Sequence, residues 1–185
     1  MLNLAGALAG YGHRVDLVVC RANSREPGKV VPTGVRLVTL KPARSVWARL
    51  LAFKADPAGV RELLRPVLLP LKSSNKVRYL PDLARYLRRE QPQALLSAMT
   101  QPNLVALWAR RLARVPTRVV VSERNTLSSY VDYYGHKWRW RYLPALIGRT
   151  YGFADAVVTV SQAVADDLAI ATRIDGPPII PIPNP

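Results

Sequence analysis

Six short apolar runs, separated by stretches of helical spacing, restrict the possible folds of this chain more than any other feature. They are Arg14–Val19, Val35–Leu40, Ala94–Ala98, Arg118–Ser122, Ala156–Val160 and Pro178–Ile182. A strand with one wet face alternates apolar and polar residues. These runs scarcely alternate, and so read as strands covered on both faces, the habit of parallel sheets. Between them, "PNLVALWARRLA" sets Leu104, Leu107, Trp108 and Leu112 at helical spacing with Arg110 and Arg111 turned away, and "SQAVADDLAIA" reads as a further helix. Strands alternating with helices imply βαβ crossovers and an α/β, doubly wound parallel sheet with flanking helices.

The 185 residues suit one such domain, and an apolar fraction of 49% supports a core. The single cysteine, Cys20, cannot close an internal disulfide; it is expected to be an inert core residue in a reducing compartment. No metal-ligand spacing is present, and His13 and His136 are not placed as a pair. "MLNLAGALAGYGHR" lacks the basic start and long apolar run of a signal peptide, and no apolar run reaches the length of about 18 residues that spans a bilayer. A cytoplasmic location is expected.

The net charge of +15 is unevenly distributed. Residues 41–91 carry 12 basic and 4 acidic side chains, residues 109–149 carry 9 and 2, and residues 150–185 carry 1 and 4. Two basic blocks suggest a face directed at an anionic partner. An excess of 21 Arg over 6 Lys is also what GC-rich coding would give. Residues 41–91 are too long for an ordinary connection and read as a basic amphipathic insertion and crossover, interrupted by Pro66 and Pro70.

Both ends are expected to be cut. The chain opens on a helix stopped near Gly10 and Gly12, without the strand and glycine-rich turn that usually precede such a helix. It closes on "IIPIPNP", a strand and the turn Asn184–Pro185.

In an open parallel sheet, ligands gather at the carboxyl ends of the strands. Thr100 and Gln101 follow the third run, and Glu123, Arg124 and Asn125 follow the fourth. Ser161 follows the fifth and is equally a plain helix N-cap. Glu123 beside Arg124 is either a structural ion pair or loop cap, or part of a site.

"LAGALAGYGHRVDLVV" and "YGFADAVVTVSQAVADDLA…PPIIPIPNP" resemble the beginning and end of the N-terminal domain of family four glycosyltransferases, with order and spacing matched across nearly the whole chain. The resemblance implies a Rossmann-like domain over residues 1–183, one half of a GT-B architecture, with Asn184 and Pro185 entering the interdomain hinge. It further implies sugar transfer from a nucleotide-sugar donor, usually with retention and without a metal or other cofactor. In that family the N-terminal domain shapes the acceptor site, and the C-terminal domain holds most of the donor. On that basis the chain alone is expected to be inactive. Where many members carry a catalytic His, this sequence has Glu123, Arg124 and Asn125, so the catalytic residue is left unassigned. "SERN" resembles bacterial members that build surface polysaccharides or lipid-linked oligosaccharides.

A polyprenyl-pyrophosphate-linked acceptor would require docking on an anionic membrane, placing the protein on the inner face of the cytoplasmic membrane. Two segments have the composition for it: Arg44, Trp47, Arg49 and Lys54, with Val46, Leu50 and Leu51 on the same stripe, and Lys137, Trp138, Arg139, Trp140 and Arg141. Each is equally an amphipathic helix packed on its own domain. Two competing readings are a non-catalytic membrane-associated partner of a separate donor-binding domain and a nucleic-acid-binding module. The second has no helix-turn-helix, RNP, KH or zinc pattern behind it.

Overall fold

A computed structural model describes residues 1–20, 30–63, 67, 76–134 and 142–183. They form two compact units, Met1–Pro42 and Ala43–Pro185.

The first unit contains helix α1 (Leu2–Gly10) and the parallel pair β1 (Val15–Cys20) and β2 (Val35–Leu40), in register from Val15 opposite Val35 to Cys20 opposite Leu40. "GYGH" is the stop signal of α1. The Gly12 N–H donates to the Ala9 carbonyl at 3.0 Å and the His13 N–H to the Leu8 carbonyl at 3.1 Å, a Schellman closure. That closure needs a left-handed residue between them, and Gly12 supplies it with φ +84°. α1 packs against both strands. No residue of β1 is fully buried, so Cys20, expected in the core, is half-buried, and β2 has three exposed positions. Within this unit the strands are therefore not covered on both faces; among its described residues one helix serves both.

The second unit begins with α2 (Ser45–Ala55), a 3-10 turn (Pro57–Gly59) and the short α3 (Val60–Leu63). A second 3-10 turn (Val77–Tyr79) leads into α4 (Leu80–Glu90). There follow β3 (Ala94–Ala98), α5 (Thr100–Ala113), β4 (Arg118–Glu123), α6 (Leu127–Tyr134), α7 (Leu143–Tyr151), β5 (Ala156–Thr159), α8 (Gln162–Thr172) and β6 (Ile179–Pro181). The four strands form one parallel sheet in chain order, β3-β4-β5-β6. Most of the proline-broken segment expected after Leu63 lies outside the described residues.

α5 sits at the centre of this unit. It touches β3 and β4 as well as α2, α4 and α7, so its residues from Asn103 to Ala109 are all buried. A helix apolar on every side is a helix covered on every side. Arg110 and Arg111 end that run and are tied down. Arg110 Nη1 donates to Asp155 Oδ2 at 2.8 Å, and that same oxygen accepts the Val119 N–H at 2.7 Å. The Asp155 N–H donates to the Val119 carbonyl at 2.9 Å. The Ala-Asp before β5 is thus a latch that pins β5 to the entry of β4. Arg111 Nε donates to the Ala55 carbonyl at 2.6 Å, with its guanidinium 3.8 Å from the Phe153 ring centroid.

A second tie joins α7 to the turn after α2. Arg149 Nε lies 2.6 Å from Asp56 Oδ2 and Nη2 2.8 Å from Oδ1, a two-pronged pair around a carboxylate 2% exposed. Gly59 leaves room for it, since a Cβ there would lie 2.2 Å from Asp56 Oδ2.

Candidate functional site

β4 and β5 end level, with Glu123 opposite Thr159, and polar side chains collect at this carboxyl edge. Strand order follows chain order, so no reversal within this sheet marks a crevice. The polar residues themselves mark the place.

The turn from β3 into α5 sets the geometry. Met99 adopts φ +76°, a left-handed backbone that L side chains rarely take, at a cost of about 1–3 kcal/mol. Two backbone bonds hold it there: its N–H donates to the Ser122 carbonyl at 3.0 Å, and its carbonyl accepts the Asn103 N–H at 3.0 Å. The start of α5 is thereby clamped to the end of β4. Asn103, fully buried, adds a side-chain bond from Nδ2 to the same Ser122 carbonyl at 3.0 Å.

The Glu123 carboxyl is enclosed within this clamp, 6% exposed. Thr100 Oγ1 donates to Oε2 at 3.2 Å, Asn103 Nδ2 lies 3.3 Å from Oε1, and the Tyr151 hydroxyl donates to Oε1. Asn103 Nδ2 also reaches the Tyr151 oxygen at 2.9 Å. Burial pushes the Glu123 carboxyl above its ordinary value; the bonds from Tyr151, Thr100 and Asn103 pull the other way without cancelling it. Burial, and then the adjacent Glu123 charge, push the Tyr151 phenol well above its own ordinary value.

The sign of the resulting pH dependence is fixed. With its folded value raised, Glu123 contributes stability that is fully present below the ordinary glutamate value of 4.5 and lost as pH rises through the folded value. Glu123→Gln keeps the shape and removes the titration. Unfolding free energies measured in urea across this range should show wild type losing stability relative to Glu123→Gln as pH rises. A difference that grows in wild type's favour would mean the charged carboxylate is the preferred form.

Past Glu123 the chain turns outward. Arg124 and Asn125 are exposed, and Thr126 Oγ1 donates to Ser129 at 2.8 Å. α6 then starts under a long-range cap: Asp167 Oδ2, from α8, accepts the Leu127 N–H at 2.5 Å and the Ser128 N–H at 3.2 Å, and Oδ1 accepts the Ser128 hydroxyl.

The expected residues therefore divide. Thr100 and Glu123 are brought into contact, and Arg124 and Asn125 stand exposed just beyond. Gln101 is half-buried in the first turn of α5. Ser161 Oγ accepts the Val164 N–H at 3.3 Å and caps α8, beyond the end of β5. Glu123 does not pair with its neighbour Arg124; its bonds run to Thr100, Asn103 and Tyr151. Asn184, Pro185 and the segment Lys137, Trp138, Arg139, Trp140 and Arg141 lie outside the described residues. Asn103, Tyr151 and Asp167 were not singled out from sequence. A carboxyl directly after a buried strand was the available signal, since it obliges some other element to supply donors.

A parallel sheet flanked by helices, with its polar groups at the carboxyl edge, defines a Rossmann-like α/β domain of the GT-B kind. The family model described as a Glycosyl transferase 4-like domain matches residues 1–185, and the chain belongs to that family. A search of curated proteins found no match. Family membership makes this a glycosyltransferase-type domain, a transferase by resemblance.

Proposed function

We propose that this chain is the acceptor-side half of a retaining glycosyltransferase that moves a sugar from a nucleotide-sugar to a glycan or polyprenyl-pyrophosphate-linked acceptor, as in bacterial enzymes that build surface polysaccharides or lipid-linked oligosaccharides. What carries the reading is the fixed presentation of Arg124 and Asn125 at the carboxyl edge, beside Thr100, by a buried Glu123. In this reading the Arg124 guanidinium engages the acceptor pyrophosphate, for which its planar fork is suited. Asn125, Thr100 and Gln101 supply hydrogen bonds to acceptor hydroxyls. Glu123 is a positioning residue, because its oxygens are already occupied from inside the fold.

The test uses the 185-residue chain and a short prenyl pyrophosphate as probe. Titration calorimetry should show Arg124→Ala weakening binding by roughly 10- to 100-fold, the range for losing a charged hydrogen-bonding partner. Arg124→Lys should recover only part of it. Unchanged affinity in Arg124→Ala would remove the acceptor assignment. Binding lost equally on replacing the distant exposed Arg173 would show only general charge attraction.

A further inference from the structure

α6 begins in a way that its own sequence does not provide for. Thr126 stands just before the helix, where a hydroxyl ordinarily accepts an N–H from the first turn. Its Oγ1 is directed instead to the Ser129 hydroxyl, at 2.8 Å. The first two N–H groups of α6, from Leu127 and Ser128, go to Asp167 Oδ2 on α8, 40 and 39 residues further along the chain, and the Ser128 hydroxyl goes to Oδ1. At eight residues α6 is too short to hold its shape alone in water, and α8 is the element it chiefly packs against. The point at which α6 starts is therefore dictated by α8.

α8 is itself firmly held. Ser161 caps its first turn, and Val164, Ala165 and Leu168 are buried beneath it. Its far end is wedged against α7, where a Cβ on Gly148 would lie 2.2 Å from the Thr172 carbonyl oxygen. Because β4 and β5 end level, the residues after Glu123 and those after Thr159 leave the sheet side by side. Asp167 ties these two exits together. Its carboxylate holds the start of α6, two residues past Asn125, while its backbone belongs to the helix that Ser161 and Gln162 open. The neighbouring Asp166 is exposed and accepts a bond at 2.8 Å from Gln162 of its own helix.

We propose that Asp167 is a positioning residue for ligand binding. It fixes the spacing between the Arg124–Asn125 loop and the first turn of α8, so that one acceptor can touch both, with the exposed Gln162 as the contact on the α8 side. This role rests on the acceptor reading proposed above and deepens it, since it adds a second loop to the site and names the residue that holds the two in register.

Electrostatics and positioning predict effects of opposite sign. The proposed ligand is an anion, so deleting a nearby carboxylate should by charge alone tighten its binding. Loss of a positioning tie should weaken it. Titration calorimetry of the full chain with the short prenyl pyrophosphate should show Asp167→Ala binding about tenfold more weakly, because the ligand must then order the loop itself. Asp167→Leu keeps the side-chain volume and should lose as much, so one folded variant of the two suffices, with circular dichroism as the check. Asp167→Asn retains an acceptor oxygen and should fall between wild type and Asp167→Ala. Asp166→Ala makes the same charge change on the same helix and should bind at least as tightly as wild type. Hydrogen exchange should show the Leu127 and Ser128 amides of Asp167→Ala exchanging faster, with those of α5 unchanged. Equal loss of protection in α5 would reveal a general structural defect and overturn the inference, as would equal weakening in Asp166→Ala. Affinity lost in Arg124→Ala but kept in the Asp167 variants would overturn this role alone and leave the acceptor reading standing. A wild-type chain that does not bind the probe would remove both.

Discussion

Arg149→Met should cost about 3–5 kcal/mol of unfolding free energy, read from urea denaturation midpoints. The size follows from what is left behind. Asp56 is 2% exposed and receives both prongs of the guanidinium, so removing Arg149 leaves a buried carboxylate without its partner. Gly59 borders the pair closely, since a Cβ there would meet both the carboxylate and the guanidinium. Replacing both partners, Asp56→Leu with Arg149→Met, should recover much of the loss, since a buried pair is worth far less than the penalty for breaking it. A single-variant loss under about 1 kcal/mol would show that water reaches Asp56 once Arg149 is gone.

Trp108→Ala is the second large effect, again about 3–5 kcal/mol. The indole is fully buried in α5, where sheet and helices converge, so truncation opens a cavity bordered by several elements at once. Trp108→Phe separates packing from polarity. Among the described residues the indole N–H has no hydrogen-bond partner, so Phe removes an unmatched donor that costs about 1–3 kcal/mol while giving up part of the ring. The two terms oppose, and the net loss should stay under about 1.5 kcal/mol. A Phe variant as damaged as the Ala variant would point to an acceptor for the N–H.

The strands were legible because each is a short apolar run, too short for a helix, that ends at a polar or turn-forming break. Val35–Leu40 and Ala94–Ala98 occupy the spans expected of them, and the others differ by one residue at one or both ends. The orientation of α2 was not legible: it buries Ala48, Ala52 and Ala55 and leaves Arg44, Val46, Trp47, Leu50 and Lys54 exposed, with Arg49 half-buried. Both its faces are apolar, so periodicity reveals a stripe without saying which stripe meets the core, and alanine gives a weak signal although it permits the closest packing. The partners of Glu123 were hidden for a different reason. Thr100, Asn103 and Tyr151 lie 23, 20 and 28 residues away on two helices, and a convergence of that kind has no spacing to read. The cysteine was misplaced because its run is apolar; what decides its burial is how much of the surrounding structure covers that strand.

The connection between β4 and α6 is fastened at both ends, by the enclosed Glu123 carboxyl and by Asp167 receiving the first two N–H groups of α6. Only Arg124, Asn125 and Thr126 lie between those fastenings. Free loops lose conformational entropy when a ligand orders them, a loss that is subtracted from affinity. Here the loss is incurred once, during folding, when Glu123 and Asp167 fasten the two ends. In the proposed reading, an acceptor at Arg124 and Asn125 would encounter a surface already set in its final shape, so its affinity would be limited by the fit and desolvation of those side chains, with little cost from ordering the backbone.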